Sequence, residues 1–168
     1  MCRPIRSTRT ACFEGRTTMR LVAAAIAFAL TSTAVQAEEC KLTPKQVVSQ
    51  FMDEFYIQKK VRSSFEKWVD PGYIQHNPYA ATGRDAAITF LEKFVADNPG
   101  QKTTIHRVIA DGNLVAVHSH GWNENGDAAA KRGFAVIDIF RVEGCRVMEH
   151  WDVLSPVPEA SANSNTMF

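Results

Sequence analysis

Residues 134 to 154 read F-A-V-I-D-I-F-R-V-E-G-C-R-V-M-E-H-W-D-V-L. No other stretch constrains the fold as tightly. Its apolar residues are β-branched or aromatic, as strands prefer, and Glu143-Gly144-Cys145 interrupts them at the middle. The stretch therefore predicts two strands folded back into a hairpin. Asp138, Glu149, His150 and Asp152 sit among those apolar neighbours. A polar group buried without a partner costs ~1–3 kcal/mol, and a charge costs more. These groups are thus either paired with one another or present for chemistry.

The register of the hairpin decides which groups meet. A two-residue turn at Glu143-Gly144 pairs Asp138 with Glu149 and sends His150 and Asp152 to the other face. A three-residue turn, Glu143-Gly144-Cys145, pairs Asp138 with His150 and leaves Asp152 on the same face, because side chains alternate with period two. The second register is expected, since the first opposes two carboxylates directly.

Export is expected from the N-terminal residues. Arg-containing sequence leads into the apolar run Leu21 to Leu30, then into Val35-Gln36-Ala37. This is the pattern of a secretory signal over residues 1–37, cut after Ala37, with Met19 as a second candidate start. The apolar run is shorter than the ~20 residues of a spanning helix. The expected location is the periplasm or the exterior, with no membrane partner after cleavage. Cys40 and Cys145 then remain in an oxidising compartment, where a disulfide between them is one possibility and two free thiols the other. Five of the 19 basic residues and one of the 18 acidic ones fall within residues 1–37, so 38–168 hold 14 basic and 17 acidic residues. That balance gives no electrostatic reason to expect nucleic acid as a partner.

Three helices are expected first. Thr43 caps the first and Pro44 starts it, with Val47, Val48, Phe51 and Phe55 as its buried stripe. The second spans about 61–69, ending at Asp70-Pro71-Gly72, and the third follows Gly83-Arg84-Asp85 and stops at Asn98-Pro99-Gly100. Between these two lies a short extended piece, Tyr73 to Tyr79. Strands over about 103–110 and 113–122 join at Asp111-Gly112, a strong hairpin signal. Helices followed by antiparallel strands predict an α+β domain, with three helices on a curved, mainly antiparallel sheet and a ligand cavity between them. The domain spans 38–156, and a flexible tail spans 157–168.

Two kinds of chemistry suit these residues. His118 and His120 share a strand face, and with Glu124 they suit a divalent metal. The spacing from Gly112 matches part of the cupin metal motif, but Lys131 stands where that motif needs Gly, and its second half is missing. No metal is therefore expected. The other chemistry is acid–base work by His118, Asp138, His150 and Asp152, converging on the cavity from adjacent strands. An Asp in an apolar cavity has its pKa raised and becomes a usable acid or base. Trp122 and Trp151 are expected in packing or subunit contact rather than in a pocket wall. Walker, dinucleotide and nucleophile-elbow motifs are absent from the sequence.

Three segments carry a resemblance: Y-I-Q-H-N-P at 73–78, H-R-V-I-A-D-G-N-L-V-A-V-H at 106–118, and D-I-F-R-V-E-G-C-R-V-M-E-H-W-D-V at 138–153. They resemble the SnoaL-like proteins of the nuclear transport factor 2-like superfamily, over about residues 44–156. The last motif is similar to that of the predicted aldol-condensation subgroup. The resemblance implies a cone-shaped α+β barrel, often dimeric through the outer sheet face. It also implies chemistry without metal or organic cofactor, in which Asp152 is the general acid/base and Asp138 a second polar residue of the cavity. The expectation is therefore an exported protein acting on a small, largely apolar, carbonyl-containing ligand by aldol-type condensation, cyclisation or isomerisation. Asp152, His118 and His76 are the candidate catalytic residues, the two histidines as oxyanion donors. Tyr73, Asp138 and His150 are the candidate substrate-binding residues. A non-catalytic binding protein with the same pocket is the alternative.

Overall fold

The computed structural model describes residues 40–168. The expected signal segment, 1–37, and the second candidate start lie outside them. Helix α1 runs Pro44–Met52 and opens with a capping box. The Thr43 hydroxyl accepts from the Gln46 N–H, and the Gln46 side chain accepts from the Thr43 N–H. The helix then widens into a π-turn, Asp53–Ile57. This extra residue per turn turns Tyr56 toward the sheet while Phe55 stays buried. Helix α2 (Val61–Trp68) follows, then strand β1 (Val69–Gln75) and helix α3 (Arg84–Asp97). Strands β2 (Gln101–Asp111) and β3 (Leu114–Asn123) lead to a short helix α4 (Ala128–Arg132), then to β4 (Phe134–Glu143) and β5 (Arg146–Pro156). The α+β class and its mainly antiparallel sheet are as expected, with the short helix α4 added to the three helices expected.

The sheet runs β1-β5-β4-β3-β2, with β1 parallel to β5 and the other pairings antiparallel. The extended piece expected at 73–79 is a strand only as far as Gln75, and β1 begins earlier, at Val69, taking in Asp70-Pro71-Gly72; no pairing joins β1 to β2. One face of the sheet packs on the helices. Val47, Val48, Phe51 and Met52 of α1 and Phe65 of α2 meet Val115, Val117, Phe140, Val142 and Val147 of the sheet. Phe51 is the hub, with ring centroids 5.1 Å from Phe65 and 5.9 Å from Phe140.

The β4–β5 hairpin corrects the expected register. Glu143 pairs with Arg146 around a two-residue loop, Gly144-Cys145, in which Gly144 takes a positive φ of 55°. That is a conformation glycine adopts without penalty. A bulge then follows, because Val142 faces Val147 while Arg141 faces Glu149, leaving Met148 as the extra residue. Beyond it, Asp138 lies opposite Asp152 rather than His150, and His150 lies opposite Phe140. The slip from the expected pairing is two residues, so parity is kept and Asp138, His150 and Asp152 still share the inner face.

Cys145 sits in that loop because it is bonded to Cys40, with a Cα–Cα distance of 5.3 Å across 105 residues of sequence. The bond pins the start of the described chain to the hairpin tip. Segment 157–168 forms no helix or strand. Its Phe168 ring lies against His120 and His106 on the outer sheet face, at centroid distances of 4.3 and 5.0 Å. Closing the Cys40–Cys145 loop, with its sequence separation of 105, restricts the unfolded chain by about 4.7 kcal/mol in the chain-entropy model, the upper end of what such bonds deliver. Replacing both cysteines by serine should therefore lower the unfolding free energy by about 2–4 kcal/mol in urea titration. A reductant should produce the same loss in the unmodified protein and none in the variant.

Candidate functional site

The inner faces of β4 and β5, the end of β1 and the π-turn enclose two joined spaces. The inner recess holds about 80 Å³, and Tyr56, Tyr73, Gln75 and His150 contribute to its wall. The wider chamber holds about 460 Å³, with Phe90, Phe94, Phe134 and Leu154 among its apolar walls. Tyr56, Asn77 and Asp152 border both spaces, so Asp152 stands where they meet. The larger volume falls in the ~300–1,000 Å³ range of small-molecule sites. Trp122 borders the chamber, but its ring stacks on His120 of the outer face at 4.7 Å, and Trp151 also lies outside, stacked on His76 at 4.7 Å, so both rings are in packing as expected.

Polar groups converge at this junction. Asn77 Nδ2 donates to both carboxylate oxygens of Asp152, at 2.9 and 2.8 Å. The pair Asp138 and His150 is buried, at 2 and 8 % exposure, with Nε2 of the ring 3.0 Å from Oδ1 of the carboxyl. The other ring nitrogen, Nδ1, lies 3.0 Å from Gln75 Oε1. Asp138 Oδ2 is buried and has no hydrogen-bond partner. Burial pushes the Asp138 carboxyl above its ordinary value, and the His150 hydrogen bond offsets this only in part. Burial and then the two nearby carboxylates also raise Tyr56 and Tyr73 well above the usual phenol value, so both keep their protons as donors.

Asp138, His150 and Asp152 are the one group of three such residues, among those described, that offers ligand atoms within 4.8 Å of one another. Two carboxylates and an imidazole could share a divalent ion, or could share protons. The alternative set, His118, His120 and Glu124, does not converge. His118 Nδ1 accepts from Arg107, His120 Nε2 donates to the Arg132 carbonyl, and Glu124 pairs with Lys102.

Two of the expected catalytic residues are misplaced. His118 lies on the outer face, because its neighbours Val115, Val117 and Ser119 take the buried positions of β3. Strand alternation leaves no choice once the valines face the core. His76 is also outside, where its Nε2 is 2.7 Å from Glu149 and its ring stacks on Trp151. Glu149 is held by Arg141 at 2.7 Å as well, an ion-pair network that lowers the Glu149 pKa. Neither histidine can serve as an oxyanion donor in the chamber. Tyr73, Asp138, His150 and Asp152 are brought together. Tyr56, Gln75 and Asn77 join them without having been expected. For Asn77 a signal existed, an amide beside Pro78 in a tyrosine-rich segment. Tyr56 depends on the π-turn, which has no sequence mark.

The family model for the SnoaL-like domain matches residues 48–150, more than half of the chain. Among curated proteins none matches. Solved structures share the fold. An NTF2-like protein of unknown function from Cytophaga hutchinsonii superposes with a TM-score of 0.55 at 13% identity, covering 69% of this chain and 93% of that one. A proposed polyketide cyclase from Bacillus cereus gives 0.57 at 18% identity, covering 67% and 74%. One from Acidithiobacillus ferrooxidans gives 0.53 at 17%, covering 67% and 88%.

The raised pKa of Asp138 has a consequence for stability. The folded protein keeps this proton at pH values where the unfolded chain, with an ordinary Asp near 4, has released it. The stability it contributes is therefore present at low pH and declines as pH rises through the folded value. Asp138→Asn should remove that part of the decline. In thermal melts across roughly pH 4 to 8, the variant should lose less stability on the way up than the parent protein.

Proposed function

We propose that this chain, which belongs to the SnoaL-like domain family, is an exported enzyme that performs cofactor-free acid–base chemistry on a small carbonyl compound. The reaction class is aldol-type condensation, cyclisation or isomerisation. The observation that carries the reading is the pairing of Asp138 with Asp152 in the wall of an apolar chamber. Two carboxyls this close do not both ionise readily, so one is left as a neutral acid and the other as a base. Asp152 is the base. Its oxygens are fixed by Asn77, and it borders both spaces, where a substrate carbon would rest. Asp152 takes the proton next to the carbonyl, and the enolate oxygen that develops is met by Tyr56 or Tyr73, both protonated donors. The same carboxyl returns the proton to the oxygen or carbon formed in the next step. The chamber walls bind the apolar body of the substrate. The disulfide between Cys40 and Cys145 supports export, since such bonds persist in oxidising compartments.

The outer sheet face supports a homodimer. Ile109, Ile137, Ile139 and Val153 lie on it and are exposed, Val153 at 70%. Covering such a face with a second copy removes apolar surface from water. Ile137→Asp combined with Val153→Asp should convert a dimer into a folded monomer in light scattering.

The catalytic claim is tested by deuterium exchange. Incubated in D₂O with a panel of aryl ketones, the protein should exchange the proton next to the carbonyl, read by NMR. Asp152→Asn should reduce the exchange about 100-fold or more while the fold and ligand binding survive. Saturable binding without exchange, unaffected by the substitution, would instead make the protein a ligand carrier.

A further inference from the structure

The hydrogen bonds around His150 fix where its protons are. The Asn77 backbone N–H donates to Gln75 Oε1 at 2.9 Å, and Gln75 Nε2 donates to the Tyr73 hydroxyl at 3.0 Å. The amide is therefore oriented with its oxygen toward His150, and an oxygen can only accept. His150 Nδ1 must carry a hydrogen and donate it to Gln75. In a neutral ring the other nitrogen, Nε2, is then bare, and it faces Asp138 Oδ1 at 3.0 Å. A single proton must lie between them.

The surroundings decide which partner carries it. An ionised Asp138 would hold its negative charge on two buried oxygens, one of them without any donor. Asp152 would face it across the hairpin with a second negative charge. The titratable groups packed around the pair are Asp152 from β5, Tyr56 from the π-turn and Tyr73 from β1. None of these is a cation. Protonated on Oδ1, Asp138 donates to Nε2 and becomes neutral. Asp138 is among the residues that line the chamber, and its Oδ2, which no protein donor meets, is then a carbonyl-type oxygen able only to accept.

We propose that Asp138 is a neutral carboxylic acid at physiological pH, locked in that state through His150 and Gln75, and that its Oδ2 is a subsite for a hydroxyl donor of the ligand. This rests on the acid–base reading for its chemistry and goes beyond it in naming the ligand class, a β-hydroxy carbonyl compound. The carbonyl side meets Asp152 and the tyrosines, and the hydroxyl meets Asp138. In the condensing direction the carbon–carbon bond forms, the new alkoxide takes the proton that Asp152 removed, and the hydroxyl so made donates to Oδ2. A site that buries an acceptor discriminates strongly against a ligand lacking the donor, because the acceptor then stays unpartnered. Gln75 is a positioning residue, since it acts only through His150.

The test needs no turnover. The probes are the aldol adduct of benzaldehyde and acetone and, against it, benzylacetone, the same skeleton without the hydroxyl. Calorimetry should show the hydroxylated probe binding on the order of 10-fold or more tightly. Asp138→Asn should keep that preference, because the amide N–H replaces the acid O–H toward His150 and the amide oxygen replaces Oδ2. Asp138→Leu should abolish it. Infrared spectra at neutral pH should contain a protonated-carboxyl band that shifts in D₂O and is missing from Asp138→Asn. Gln75→Leu should displace that band, and Gln75→Glu should restore it. A missing band overturns the proposal. So does a protein blind to the hydroxyl, including one that takes up neither probe. A preference lost in Asp138→Asn means that a carboxylate paired with an imidazolium binds the ligand, and that also overturns it. The exchange experiment on ketones is independent, so absent turnover with an intact preference would leave this subsite standing and remove only the enzyme.

Discussion

Asp138 and Asp152 face each other across adjacent strands, and much of the site follows from that like-charge pair. Their ligand atoms and those of His150 lie within 4.8 Å of one another. Two full charges about 5 Å apart at an effective dielectric near 20 repel by roughly 3 kcal/mol. Against a total domain stability of ~5–15 kcal/mol that is too large to leave standing, and a shared proton removes it. Removing it requires a partner with a free lone pair, which His150 supplies only in one tautomer. That tautomer requires Gln75, and the orientation of Gln75 requires the Asn77 backbone. Local chain geometry at the end of β1 thus reaches the protonation state of a carboxyl on β4.

The scaffold that makes this possible is a strand with one residue too many. Met148 is inserted opposite the Arg141–Val142 step, and the strand bends there. Val147 and His150 can then both face inward although they are three residues apart. Below the bulge the hairpin is tied to the core by Val142 and Val147 and to the chain start by Cys40–Cys145. Above it Phe140 still packs on Phe51 of α1, and the strands beyond it form the chamber wall opposite Phe90 and Phe94 of α3.

Much of the fold was legible in the sequence because the signals were local. The Thr43-Pro44 start, the Asn98-Pro99-Gly100 stop and the alternating strands each depend on neighbouring residues only. The parity of the hairpin was legible too, which is why Asp138, His150 and Asp152 were placed on one face despite the wrong register. The register itself was not, because a bulge at Met148 carries no Gly or Pro to mark it. The failure at His118 has a different cause. Alternation put His118 and His120 together, but the more apolar set, Val115 and Val117, should have claimed the inner face. For His76 the sequence could not show that β1 runs parallel to β5 and so brings the ring beside Glu149 and Trp151. The disulfide stood open because sequence gives no Cα separation.

The fold alone does not separate an enzyme from a carrier, since this architecture accepts many functions. The polar arrangement is what favours the proposed enzyme. A carrier of apolar molecules gains nothing from opposing two carboxyls inside its cavity, and hydrophobic residues of similar volume would cost less. Retaining the pair makes sense where one member must release a proton and the other must not. Asp152 borders both spaces and is bonded to a single side chain, so a proton can reach it and leave. Asp138 is almost fully buried and held by His150 through its Oδ1. The two carboxyls are chemically identical in the sequence, and the proposed division of labour rests on how differently the fold surrounds them.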